Sequence, residues 1–276
     1  MSKEFNKIVK NMNAAMAPYV DAMNRVAEKY RPIAEAFSTE IDRAQKALAP
    51  VAQEIQKSIE QVVAQAQKWQ EERKVEVSLM AENGWFPNWF TFFYRPDKEV
   101  ESLDELMVLH IDECWNEIKE KMIEFCPNRA HVFEVIFKLH EEGNYIASIP
   151  LIFSQADGVC GEEFTYFFSA DPNTKKKASD TILEKFEDGE VKLNFFTQFL
   201  LEPFKTKLQL SNGSSKSSKK FKSKGPNRHG ILHGSRKHLD FGTKLNGYKA
   251  ISFLAFLIYT TKDEFKKDIT KSSSKD

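Results

Sequence analysis

The first 75 or so residues leave the chain little choice of secondary structure. They are rich in Ala, Gln, Glu and Lys, and apolar positions such as Ile55, Ile59, Val62 and Val63 recur three or four apart, which lines them along one face of a helix. Prolines at 18, 32 and 50 interrupt the pattern. Each removes a backbone donor and crowds the preceding turn, so several shorter or kinked helices are expected rather than one straight rod. "AMAPYVDAM" and "ALAPVAQEI" look alike, a repeat of two copies. The stripe suits packing on its own chain, oligomerisation or partner binding. Membrane contact fits it least, because the polar face mixes both charge signs.

Forty basic residues balance forty acidic ones. The whole-molecule field therefore gives no general attraction to nucleic acid, and an electropositive site has to come from local clustering. At 276 residues and 41% hydrophobic content the chain can bury a core, as one large domain or two smaller ones. "MSKEFNKIVK" lacks the apolar stretch of a signal peptide, and "AISFLAFLIY" is about half the roughly 20 residues a membrane span needs. A cytoplasmic protein with no membrane partner is expected. Cys114, Cys126 and Cys160 include no C-x-x-C pair, which points to reduced, buried thiols.

Helical patterns continue along the chain. "ENGWFPNWFTFFYRP", residues 82 to 96, packs two tryptophans and four phenylalanines between a Gly turn and a Pro. No basic residue is interleaved before Arg95, so core packing suits these rings better than stacking on bases. "SLDELMVLHIDECWNEIKEKMIEF" reads as one long helix, with Ser102 and Glu105 as a capping box and Pro127 beyond its end. "NRAHVFEVIFKLHEEG" starts another, stopped at Gly143, and "NYIASIPLIFSQADG" shows a wide apolar face at 146, 149, 152, 153 and 156 despite Pro150. Residues 172 to 210 suit two more helices, the second through "NFFTQFLLEPF". His110, His131 and His140 are dispersed among these helices as core or surface groups. "SNGSSKSSKKFKSKG", residues 211 to 225, has no core-forming pattern and no acidic residue. It is expected as a mobile loop whose Lys216, Lys219, Lys220, Lys222 and Lys224 draw in a polyanion, or as a merely solvated one.

Immediately after it, "GPNRHGILHGSRKHLDFGT" concentrates His229, His233 and His238 with Arg228 and Arg236. Pro226 and Asn227 suit a helix start, Gly234 its end, and Thr243 caps a final apolar helix. His229 and His233 then share a face, and Arg228 in the first turn can swing its guanidinium towards them. Free backbone N–H groups in that turn suit a phosphate. Three readings fit the cluster. Zinc fits the histidine spacing, but the Glu of H-E-x-x-H is missing and a cation stands beside the site. A structural cluster would bond its imidazoles to nearby backbone. A metal-free, cofactor-free catalytic site would use a neutral imidazole to deprotonate an RNA 2′-hydroxyl, with Arg holding the charge on the attacked phosphate.

"RHGILH" resembles the R-x4-6-H motif of HEPN domains, in which a polar residue commonly follows the Arg. "NRHGILHG" followed by "DFGTKLNGYKAISFLAFL" looks like the ending of a group of bacterial HEPN proteins, "EGNYIASIPLIFSQADGV" is similar to an earlier helix of that group, and "NGWFPNWF" to its aromatic entry segment. The likeness covers about residues 76 to 262. It implies an all-α, HEPN-like bundle that dimerises around a shared cleft and cuts RNA without a metal, as toxins and antiphage effectors do. By matching positions, Arg228 and His233 are the catalytic pair and His229 the auxiliary polar residue. Asn227, Arg236 and the five lysines are candidate RNA contacts.

The resulting layout is an amphipathic helical arm (1–75), an aromatic connector (76–100), a helical domain (101–265) with the Ser/Lys loop at 211–225, and a tail (266–276). Expected partners are RNA, a second or further copy of the chain, and a neutralising or sensing protein. The rival reading is a non-catalytic RNA- or nucleotide-binding interaction module.

Overall fold

The chain's apolar side chains recur at helical spacing almost throughout, and in the computed structural model every regular element among the described residues is a helix or helical turn. The fold is all-α. The described residues are 3–188, 195–206, 208, 210 and 224–264. The expectations for Lys216, Lys219, Lys220, Lys222 and the 266–276 tail lie outside them.

Two units are distinguished, Met1–Gln65 and Ala66–Asp276. The first consists of most of helix α1 (Lys3–Glu82), which runs without interruption. The expectation of several shorter helices is corrected here. Pro32 and Pro50 lie exposed on the helix, where water can hydrogen-bond the carbonyls their missing N–H groups leave unmet. Met23, Val26, Ile33, Phe37, Leu48, Ile55 and Ile59 are all more than half exposed, so the apolar stripe is uncovered.

In the second unit, the last turns of α1 carry Val77, Met80 and Ala81 into the core. The aromatic connector follows them inward. Trp85 and Phe86 are fully buried, Phe86 lies 5.0 Å from Phe253, and of the connector's aromatic rings only Phe93 stands out in solvent. The stretch expected as one helix is two, α2 (Leu103–Glu113) and α3 (Trp115–Phe125), because Cys114 leaves helical geometry at ψ 19° and caps both. Ser102 caps α2 by accepting the Glu105 N–H at 3.1 Å, while the Glu105 carboxylate takes the N–H of Glu101. Half of the expected capping box forms.

Pro127 opens a short turn before α4 (Ala130–Glu141), and α5 (Tyr145–Glu163) contains Pro150. Ile149, Ile152, Phe153 and Ala156 of α5 are buried, but Ile146 stays 65% exposed. Next come α6 (Ala178–Glu187), a 3-10 stretch at Phe195–Leu201, and the single turn α7 (Glu202–Lys205). A five-residue helix α8 (Arg228–Leu232) precedes α9 (Lys244–Ile258), which Thr243 caps through the Asn246 N–H. Every residue of α9 from Gly247 onward is buried, so this helix is the axis of the bundle and packs chiefly on α5. Cys126 and Cys160 are buried free thiols whose pKa burial pushes up to about 11 and about 12. No described helix is long and apolar enough to cross a membrane.

Candidate functional site

The turn that holds the histidines is built on the core rather than hung from it. Asn227 is buried and caps α8, its side chain accepting the Gly230 N–H at 2.6 Å. A side chain at Gly230 would overlap the ring of buried His238, so the absent Cβ lets the turn close onto that imidazole. His233 is the C-cap residue, and Gly234 reverses the chain at φ 61°. His229 and His233 therefore project together from one exposed face, ring centroids 4.4 Å apart.

Arg228 leaves this pair. Its guanidinium lies 5.0 Å over the ring of Phe168 and 3.7 Å from a carboxylate oxygen of Asp157 on α5. The other carboxylate oxygen accepts the Phe168 N–H at 3.0 Å, which fixes both partners. The Arg228 side chain is 22% exposed, and its Nε is buried with no hydrogen-bond partner among the described residues. The swing of this guanidinium towards the imidazoles expected from the sequence is not what the fold adopts, because an anion and an aromatic face compete for it. Asp157 and Phe168 escaped the sequence reading. A carboxylate inside an otherwise apolar helix face at "SQADG" was the available signal.

Other assignments change as well. Asn227 spends its side chain on the cap and is 2% exposed, so it offers nothing to RNA. The cap also takes one of the N–H groups expected to hold phosphate, and α8 has only five residues. His238 is core, whereas Arg236 is exposed. The recess beside the turn, lined by Pro226, Asn227, His238 and Asn246, has a volume of about 50 Å3, too small for a nucleotide. Among the described residues no three His, Cys, Asp or Glu side chains gather as a metal-binding set.

The approach to the turn is pinned from below. Lys249, only 2% exposed, donates to the Lys224 carbonyl at 3.4 Å, pairs with Asp104 at 3.1 Å and lies 5.3 Å over the Trp85 ring. Burial lowers the Lys249 pKa, and Asp104 opposes that shift. Trp85 donates its own N–H to the same Asp104 at 2.6 Å. Gly84, at φ 79°, takes a backbone conformation that disfavours other residues and leaves no room for a side chain against the Lys224 carbonyl. "EGNYIASIPLIFSQADGV" thus meets "NRHGILHG" through Asp157 and Arg228, and "NGWFPNWF" meets the residues just before that turn through Gly84, which lies against the Lys224 carbonyl.

No family model, no characterised protein and no solved structure matches this chain.

Proposed function

We propose that the protein is a metal-independent endoribonuclease of HEPN type that works as a homodimer or larger homo-oligomer in the cytoplasm, as a toxin or antiphage effector. The observation that carries this reading is the exposed His229–His233 pair on a turn locked to the core, directly after an Arg oriented by Asp157 and Phe168. In the proposed reaction the neutral imidazole of His233 takes the 2′-hydroxyl proton, and the 2′-oxygen attacks the adjacent phosphorus. The bond to the 5′-oxygen breaks, and that oxygen accepts a proton from a second, protonated imidazole. The products are a 2′,3′-cyclic phosphate and a 5′-hydroxyl. Arg228 supplies positive charge to the phosphate oxygens as charge builds there. One turn offers groups on only one side of a phosphate, so a two-fold partner facing it completes the cleft.

The Arg228–Asp157 pairing favours a second reading, in which the cluster is a non-catalytic RNA- or nucleotide-binding surface. Incubating purified protein with total RNA in EDTA separates the two. Cleavage that persists and leaves cyclic phosphate ends supports the enzyme. Loss of cutting on chelation, or 3′-hydroxyl ends, rules out the 2′-hydroxyl route. RNA retained intact supports the binding module.

A further inference from the structure

The segment that follows α5 turns back along the helix it has just left. Phe168 donates its N–H to Asp157 at 3.0 Å, and the ring of Tyr166 lies against Gly161, where a Cβ would come within 2.9 Å of two ring carbons. Asp157 and Gly161 are four residues apart, so the two anchor points fall on adjacent turns of one helical face. Phe168 turns inward, against Phe153 and Phe253, and carries the Arg228 guanidinium on its ring. Tyr166 turns outward.

Tyr166 is 59% exposed and has no aromatic or cationic partner among the described residues. Glycine is a poor helix former, yet α5 carries one at 161, and the missing Cβ lets the ring rest on the helix. With one side of the ring against the helix, the exposed surface belongs to the other.

A place for a phosphate adjoins this ring. Asp157 meets Arg228 at 3.7 Å, longer than a hydrogen bond, and the Arg228 side chain keeps 22% of its surface open. The acidic residues further along α5 are engaged: Glu162 accepts the Arg129 Nε–H at 3.0 Å, and Lys262 pairs with both Glu162 and Glu163 at 2.7 Å. A phosphate approaching Arg228 therefore meets no uncompensated carboxylate on this stretch of the helix. An open aromatic face and an accessible guanidinium on adjacent turns match the two parts of a nucleotide, a flat base and a charged phosphate.

We propose, on the footing of the ribonuclease reading, that Tyr166 is the stacking platform for an unpaired base of the RNA whose phosphate meets Arg228. A base inside a duplex keeps its faces on its neighbours, so this ring selects single strands. The test uses full-length protein and short strands of 2′-O-methyl RNA, which lack the attacking hydroxyl and stay intact. Each strand carries the fluorescent base 2-aminopurine at a different position, and stacking on a ring quenches it. Wild-type protein is expected to bind with quenching at one or more positions, and to bind a duplex of the same strand roughly tenfold more weakly. Tyr166→Leu keeps an apolar cover on Gly161 but has no ring. It should weaken binding roughly tenfold or more and abolish the quenching, whereas Tyr166→Phe retains both. Urea unfolding checks that each variant is folded, and Tyr166→Ala replaces Tyr166→Leu if that chain is not. Wild-type affinity and quenching in the folded ringless variant overturn the proposal, as do equal affinity for the duplex and wild-type protein that binds no strand. Cleavage of total RNA is measured beside these titrations. Ring-dependent binding without cleavage ends the ribonuclease reading alone, and cleavage with ring-independent binding ends the stacking assignment alone.

Discussion

His233 and Arg228 differ in how much of the fold they touch, and their removal should differ accordingly. His233 is exposed and contacts the neighbouring imidazole, so His233→Ala is expected to cut cleavage by roughly 10²–10⁴-fold with stability unchanged within about 0.5 kcal/mol. Arg228→Ala should abolish cleavage as well, but it also uncovers Phe168 and leaves Asp157 without its cation, a loss of roughly 1 kcal/mol. Cleavage assays beside urea unfolding curves distinguish the pair, and losses of activity that only track stability in both variants would favour a structural cluster. A second residue-scale prediction concerns His140, whose two ring nitrogens are buried without partners among the described residues, between Trp115, Tyr145 and Tyr248. Burial holds its pKa down at about 4, as it does that of His110. Below about pH 6.5 the unfolded chain takes up protons at both rings that the folded chain refuses. Their contribution is therefore complete above about 6.5 and is lost as pH falls towards 4, by up to roughly 3 kcal/mol for each ring. His140→Phe keeps the ring packing and removes one of these protonations. It should leave stability at pH 7 equal or higher and flatten its decline between pH 6.5 and 4.5, as measured by denaturant unfolding.

At the scale of elements, local pattern was readable and distant pairing was not. The caps at Asn227 and Thr243, the buried faces of α5 and α9 and the inward aromatic connector all follow from spacing within a few residues. The contact between Arg228 and Asp157 joins positions far apart in the chain, and no spacing rule reports which carboxylate a guanidinium will meet. The division at Cys114 was hidden because the apolar period continues across it. The prolines of α1 misled for the opposite reason, since each carries a local cost of roughly 3 kcal/mol but α1 still runs through them over 80 residues. Gly230 is the element-scale test. Gly230→Ala pushes a methyl group into the His238 ring and should destabilise by roughly 1–3 kcal/mol. It should also lower cleavage beyond that loss, because the turn carrying His229 and His233 has to shift. Unaltered activity and stability would mean that the closure of α8 on His238 is dispensable.

For the whole molecule, the question is what covers the stripe on α1. A row of aliphatic and aromatic side chains from Met23 to Val63 is exposed, and a second copy offers the same row in return. The full-length protein is expected as a dimer or larger by light scattering. A chain beginning at Ala66, the start of the second unit, should lose whatever assembly the stripe supplies. An unchanged oligomer would clear the arm of that role, and a full-length protein that is monomeric and fully active would end the shared-cleft reading. The stripe also sets how such an assembly responds to its surroundings. With forty positive and forty negative side chains, two copies meet without net repulsion, and what draws them together is release of water from apolar surface. Cohesion of that kind weakens on cooling and depends little on salt. A preparation held near freezing would come apart into smaller species that re-form on warming, so activity assays begun straight from ice would show a lag that shortens as protein concentration rises.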